Sequence, residues 1–139
     1  MGISEKSSKL TDILSSLIEI QLTLAGEKEL AGQNEDDRSN LKDPYVYGYI
    51  YAFFDFAHQV AGIDEEHGLA SQIVIFDRIY GLSGPQILAE INFLMGNDTQ
   101  CQKGMSAGSE DYRNFAFDHQ NKKPEPRSPM SLFSYLIDK

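Results

Sequence analysis

The segment from Tyr45 to His58 constrains this chain most, because its side chains are apolar or aromatic almost all the way round a helix. Asp43 and Pro44 precede it, giving a carboxylate that can cap free amides and a proline at the first helical position. Gly62 follows, and glycine readily adopts the left-handed conformation that ends helices. A helix without a polar face is normally buried. The sequence therefore predicts a central helix from Asp43 to about Ala61, surrounded by the rest of the chain.

Three further helices are predicted before residue 97. A long one from Ser8 to about Leu30 carries apolar residues three and four positions apart, which we expect to form a single face on the core. These residues are Leu10, Ile13, Leu14, Leu17, Ile20 and Leu24. The next begins at the capping residue Asp64 and ends before Gly81. A shorter helix opens at Ser83, Gly84 and Pro85 and is closed by Gly96.

After Gly96 the helical signal is weaker. We expect helix from about Asp98 to Gln120, with a break near Gly108 left open because glycine lowers helix stability. Residues 121–129 contain three prolines and predict an exposed connector. Residues 130–137 are mostly apolar and predict a short C-terminal helix or arm.

These elements together predict an all-α fold, an irregular or orthogonal bundle of five to six helices around the buried aromatic central helix. We expect one domain over residues 1–139, with a flexible N-terminus at 1–7 and an exposed polar loop at 32–41. Two stretches, 45–50 and 73–76, are rich in aromatic and β-branched residues, so a strand is an alternative there. Length and capping signals favour helix at both.

The chain is acidic, with 21 Asp and Glu against 12 Lys and Arg and a formal net charge of -9. This charge repels a phosphate backbone, so nucleic-acid binding is disfavoured, whereas a protein partner with a basic surface is compatible with it. Cys101 is the single cysteine and excludes an intramolecular disulfide. We expect a soluble cytoplasmic protein, because the sequence shows neither a secretory signal nor an apolar run that could span a membrane.

Asp55 and His58 form the most suggestive polar pair, because a spacing of three residues puts both on one face of the central helix. They are candidates for an acid–base pair or for two metal ligands, and Glu66 could join them if the next helix folds back. The alternative is that they simply satisfy each other in the core. No nucleotide-binding loop or nucleophile elbow occurs, and no cofactor is predicted.

Candidate interface residues lie on the central helix and in the C-terminal arm. Tyr47 and Tyr51 combine a large apolar ring with a polar tip, which suits protein interfaces. Leu132, Phe133 and Leu136 follow the stiff connector and must be buried on this chain or on another. Exchange of the arm between two copies would give a homodimer, and folding back would leave a monomer.

The best functional hypothesis from sequence is a non-catalytic protein-interaction domain. An adaptor, a secretion chaperone or an acidic inhibitor or immunity-type protein would fit the charge, the aromatic content and the lack of catalytic motifs. The alternative is a small helical enzyme or a ligand- or metal-binding domain that uses Asp55 and His58.

Overall fold

The computed structural model describes residues 3–29, 42–81, 84–125 and 127–138. They form six helices, α1 (Ile3–Glu29), α2 (Pro44–Val60), α3 (Glu65–Tyr80), α4 (Gly84–Met95), α5 (Thr99–Gln120) and α6 (Ser131–Ile137). Within these ranges there is no strand, so the all-α bundle is confirmed and both stretches with a strand alternative are helical. None of the helices described is long and apolar enough to cross a membrane.

α2 is the buried centre, as its end signals and its composition predict. The Asp43 carboxylate accepts a hydrogen bond of 2.8 Å from the amide of Tyr45, which satisfies a free donor at the helix start. Gly62 follows the last turn with a φ of 74°, the left-handed conformation expected of it. The side chains that are completely buried along the helix include Tyr49, Ile50, Phe53 and Phe54.

α5 packs against α2 at very short range, and two glycines make this possible. A Cβ atom at Gly104 would collide with the carbonyl oxygen of Tyr45, and one at Gly108 with that of Tyr49. Four residues further along α5, the ring of Tyr112 meets Phe53 edge to face at 5.5 Å. Contacts therefore advance in step along both helices, which run parallel. The break considered near Gly108 does not occur, because these glycines bring two backbones together inside a continuous helix.

α1 is helical as predicted, but the face expected to meet the core is wrong. Its buried positions are Thr11, Leu14, Ile18, Gln21, Leu22 and Ala25. By contrast Ile13, Ile20 and Leu24 are 61%, 54% and 39% exposed. The helix carries two apolar stripes side by side, and periodicity alone could not separate them.

Two segments differ from expectation or fall outside the structure. α1 begins at Ile3, so residues 3–7, expected to be flexible, are helical. The loop expected at 32–41 lies outside the described residues. α3 and α4 follow the predicted ends, and the amide of Gly84 donates a 2.6 Å hydrogen bond to Asp77, which joins the start of α4 to α3.

Candidate functional site

Asp55 and His58 share a face of α2 but do not bond to each other. The Asp55 carboxylate accepts a hydrogen bond of 2.8 Å from the side-chain amide of Gln59. His58 is 3% exposed, packs against Gly68 of α3, and its Nε2 atom has no hydrogen-bond partner among the described residues. Burial lowers the pKa of His58, and the nearby negative charge of Asp55 opposes this shift only in part. The structure thus gives a buried, neutral imidazole instead of a carboxylate-oriented base.

Glu66 lies exposed in the first turn of α3. The neighbouring Asp64 caps this helix, accepting bonds of 2.9 Å from the His67 amide and 2.7 Å from its ring. Carboxylates in a first turn complement the helix dipole, which accounts for their position. Across the part of the chain that the structure describes, no group of three or more His, Cys, Asp or Glu side chains is placed to hold a metal ion.

One cavity of about 620 Å³ lies between α5, the connector and α6. Its lining is mixed, with a wall formed by the stacked rings of Tyr45 and Tyr135, whose centroids are 3.9 Å apart. The lining residues are Tyr45, Asp111, Asn114, Arg127, Ser128, Met130, Ser131, Ser134, Tyr135 and Asp138. None of the acid–base candidates from the sequence belongs to it.

A polar network behind this cavity fixes α6 to the bundle. The Asp111 carboxylate accepts hydrogen bonds from the Tyr49 hydroxyl at 2.6 Å and from the amide and hydroxyl of Ser131 at 2.9 and 2.7 Å. Gln21 of α1 donates to the Tyr49 oxygen at 3.1 Å and accepts from the amide of Phe133 at 2.9 Å. Burial and the adjacent Asp111 charge raise the pKa of Tyr49, which therefore stays protonated. Asp111 and Gln21 thus occupy free amides at the start of α6.

The connector is anchored as well. Asp118 is 1% exposed and accepts three hydrogen bonds of 2.7 to 2.8 Å from the backbone amide and guanidinium of Arg127. These bonds hold the pKa of Asp118 far below its usual range. Further along, the Tyr135 hydroxyl donates a hydrogen bond shared between the two oxygens of Asp43, at 3.1 and 2.9 Å. Burial, followed by this hydrogen bond and the Asp43 charge, raises the pKa of Tyr135 to about 12.

The predicted interface residues are buried or half-buried within their own chain. Tyr47 is 3% exposed and meets Tyr80 edge to face at 5.6 Å, while Tyr51 is half-buried. Leu132 and Leu136 are 0% and 2% exposed in the core of the same chain, and Phe133 is half-buried. The arm therefore folds back on its own bundle.

Sequence reasoning missed the exposed apolar surface that the structure does show. Five side chains of α1 follow one another at intervals of three, four, three and four residues, and we call them the α1 seam. They are Leu10, Ile13, Leu17, Ile20 and Leu24; the first and third are half-buried and the others exposed. The strict alternation of intervals is the spacing of a helix that pairs with another helix, and this signal was available in the sequence.

Comparisons with known protein families, with curated proteins and with solved structures give no match. Function therefore has to be inferred from the residues. The features that bear on it are the cavity beside α6, the buried His58 and the α1 seam.

Proposed function

We propose that this protein is a non-catalytic interaction protein that binds a protein partner through the α1 seam. The exposure of Ile13 and Ile20, at 61% and 54%, carries the proposal. Burial of such side chains is worth roughly 1.5 to 3 kcal/mol each, and contiguous exposed apolar surface typically marks an interaction site. These residues are not needed for the core, because the adjacent stripe of α1 already fills it.

The arrangement of the polar candidates supports the same class of function. Asp55 is engaged by Gln59, and His58 lies away from the cavity lining. Most of the hydrogen-bonded polar side chains of the cavity hold α6 and the connector in place. These side chains thus act as structural anchors, which suits a binding protein.

The charge of the chain adds to the expected properties of a heterologous partner. A net charge of -9 attracts a basic surface and speeds its encounter with this protein, especially at low salt. An adaptor or an acidic inhibitor would use its charge in this way. Such a basic partner is the alternative to a second copy of this chain as the occupant of the seam.

Affinity capture from native lysate tests the proposal with three tagged proteins. They are the wild type, the seam variant Ile13→Ser/Ile20→Ser, and a control variant Val60→Ser/Leu69→Ser. The control residues are 61% and 56% exposed, so they match the seam residues in exposure but lie on α2 and α3. We expect the wild type and the control variant to retain bound proteins, co-expressed untagged copies of this chain among them. The seam variant should lose these proteins. Identical captured proteins for all three would contradict the proposal.

A further inference from the structure

We infer that a second copy of this chain occupies the α1 seam, with the two α1 helices antiparallel about a two-fold axis at Leu17. The inference rests on the proposed function of the seam as a binding surface and names its occupant. Three observations carry it, namely the near-symmetric spacing of the seam residues, the absence of acidic side chains along the seam from Leu10 to Leu24, and the position of α6.

The spacing of the seam is that of a helix face that packs along another helix, and its sequence is nearly the same in both directions. Intervals of three and four residues keep the side chains on one narrow line of the helix, and such a line packs best against a helix with the same repeat. The seam is also nearly symmetric about Leu17, with an isoleucine and then a leucine on each side. In an antiparallel pair Leu10 would meet Leu24 of the other copy, and Ile13 would meet Ile20. Each pair is chemically alike, as an interface made of the same patch twice requires.

The distribution of charge on α1 determines whether a second acidic copy can bind at the seam. Two chains with a net charge of -9 repel each other, so they associate most readily where acidic side chains are absent. Lys9, Ser16 and Thr23 border the seam on its outer side; all three are exposed and none is acidic. At 3.6 residues per turn, Asp12 and Glu19 lie on the far side of α1, where Asp12 pairs with Arg78 of α3 at 3.0 Å. From Leu10 to Leu24 the seam is thus a strip without acidic side chains on an acidic molecule.

The seam is short, and its size sets the strength of the dimer. From Leu10 to Leu24 it spans about 21 Å. α6 lies beside it, since the Phe133 amide bonds to Gln21 and the Phe133 ring is half-buried, which widens the apolar surface. An interface of this extent falls at the small end for specific complexes, so we expect dissociation constants on the order of micromolar.

Molar mass measured by sedimentation from about 1 to 300 µM tests the assembly. We expect the wild type and Val60→Ser/Leu69→Ser to move from one towards two times the 15.6 kDa of a single chain. Ile13→Ser/Ile20→Ser should stay at the mass of one chain, with an unchanged far-ultraviolet circular dichroism spectrum because both residues are exposed. A wild type that keeps the mass of one chain throughout, or a folded seam variant that dimerises equally well, would overturn the inference.

Oxidative crosslinking tests the direction of the two helices. Leu17→Cys should form a disulfide-linked dimer, because the axis brings residue 17 of both copies together. Ile13→Cys should not, since the two copies of residue 13 would be about 12 Å apart along the helices, beyond the reach of a disulfide. The native Cys101 is 0% exposed and does not compete. If Ile13→Cys crosslinks as readily as Leu17→Cys, the antiparallel arrangement is wrong.

Salt separates this occupant from a basic partner. Raising the salt from about 50 to 500 mM screens the repulsion between two acidic chains, so dimerisation should tighten several-fold. Binding of a basic protein would weaken over the same range. If the wild type is monomeric but captures other proteins through the seam, the proposed function holds and a second copy is excluded as the occupant. A monomer without such captured proteins would contradict both.

Discussion

Gly104 and Gly108 set the distance between α2 and α5, whose backbones approach closely at both glycines. Gly108→Ala would place a methyl group against the carbonyl oxygen of Tyr49, a backbone atom that cannot move without shifting α2. We expect a loss of about 1 to 3 kcal/mol in the free energy of unfolding, measured by urea denaturation. Gly96→Ala is the control, because a Cβ there meets nothing within 4 Å. Equal stability of the two variants would show that the helices are not in such close contact.

His58 predicts a dependence of stability on pH. Its pKa is lowered in the folded state, so the unfolded chain binds the proton more readily. The free energy of unfolding should therefore hold steady above the unfolded pKa of about 6.5 and fall as the pH drops below it. His58→Leu should remove this part of the slope in urea titrations from about pH 8 to 5. His67→Gln, which removes a partly exposed imidazole, should retain it; a slope unchanged in His58→Leu would contradict the assignment.

At the level of elements, α6 depends on side chains from three other helices. It has seven residues, and Met130 at its start provides no side-chain cap. Asp111 replaces that cap, so Asp111→Ala should lower the free energy of unfolding by about 3 kcal/mol, the value of lost hydrogen bonds to a charged group. Tyr49→Phe should cost about 1.5 to 3 kcal/mol, because it removes a hydrogen bond to the charged Asp111 and leaves the Gln21 amide without its acceptor. In the double variant the two losses should be less than additive, because one bond is shared; strict additivity would argue against a connected network.

The helices could be predicted from sequence where the residues that fix their ends lie close by in the chain. Asp43, Pro44 and Gly62 lie at the ends of α2, and each acts on backbone groups a few residues away. The face of α1 could not be predicted, because both of its apolar stripes have helical spacing and only the packing of α3 and α6 selects one. The network of Gln21, Tyr49 and Asp111 was also missed. It joins residues 28 and 62 positions apart, and nothing local marks any of them.

For the molecule as a whole, the candidate sites were also predictable from sequence only in part. Asp55 and His58 were selected because they are close in sequence on a buried helix, yet the fold gives them separate surroundings. The α1 seam was visible in the sequence as spacing, but its exposure depends on the whole bundle. Residue spacing alone therefore did not reveal which apolar stripe is exposed or what surrounds each polar residue, because both depend on the neighbours that the fold supplies.

The C-terminal arm gives a prediction for the entire fold. Leu132 and Leu136 are buried against the bundle of their own chain, so a protein that ends at Asn121 would lose both. Their burial is worth roughly 3 to 6 kcal/mol together, a large part of the stability of about 5 to 15 kcal/mol typical of a domain. We expect the shortened protein to unfold at a much lower temperature than the full chain, as measured by circular dichroism during heating.

A protein that ends at Ile137 is the control for this truncation, since it keeps both leucines and should melt close to the full chain. Equal melting temperatures for the full chain and the version ending at Asn121 would mean that α6 adds nothing to the core. Because Asp111 and Gln21 bind α6 through its backbone amides, a synthetic peptide of residues 122–139 should restore part of the lost stability when added to the shortened protein. The same peptide should have no effect on the protein that ends at Ile137, whose own arm already fills the site.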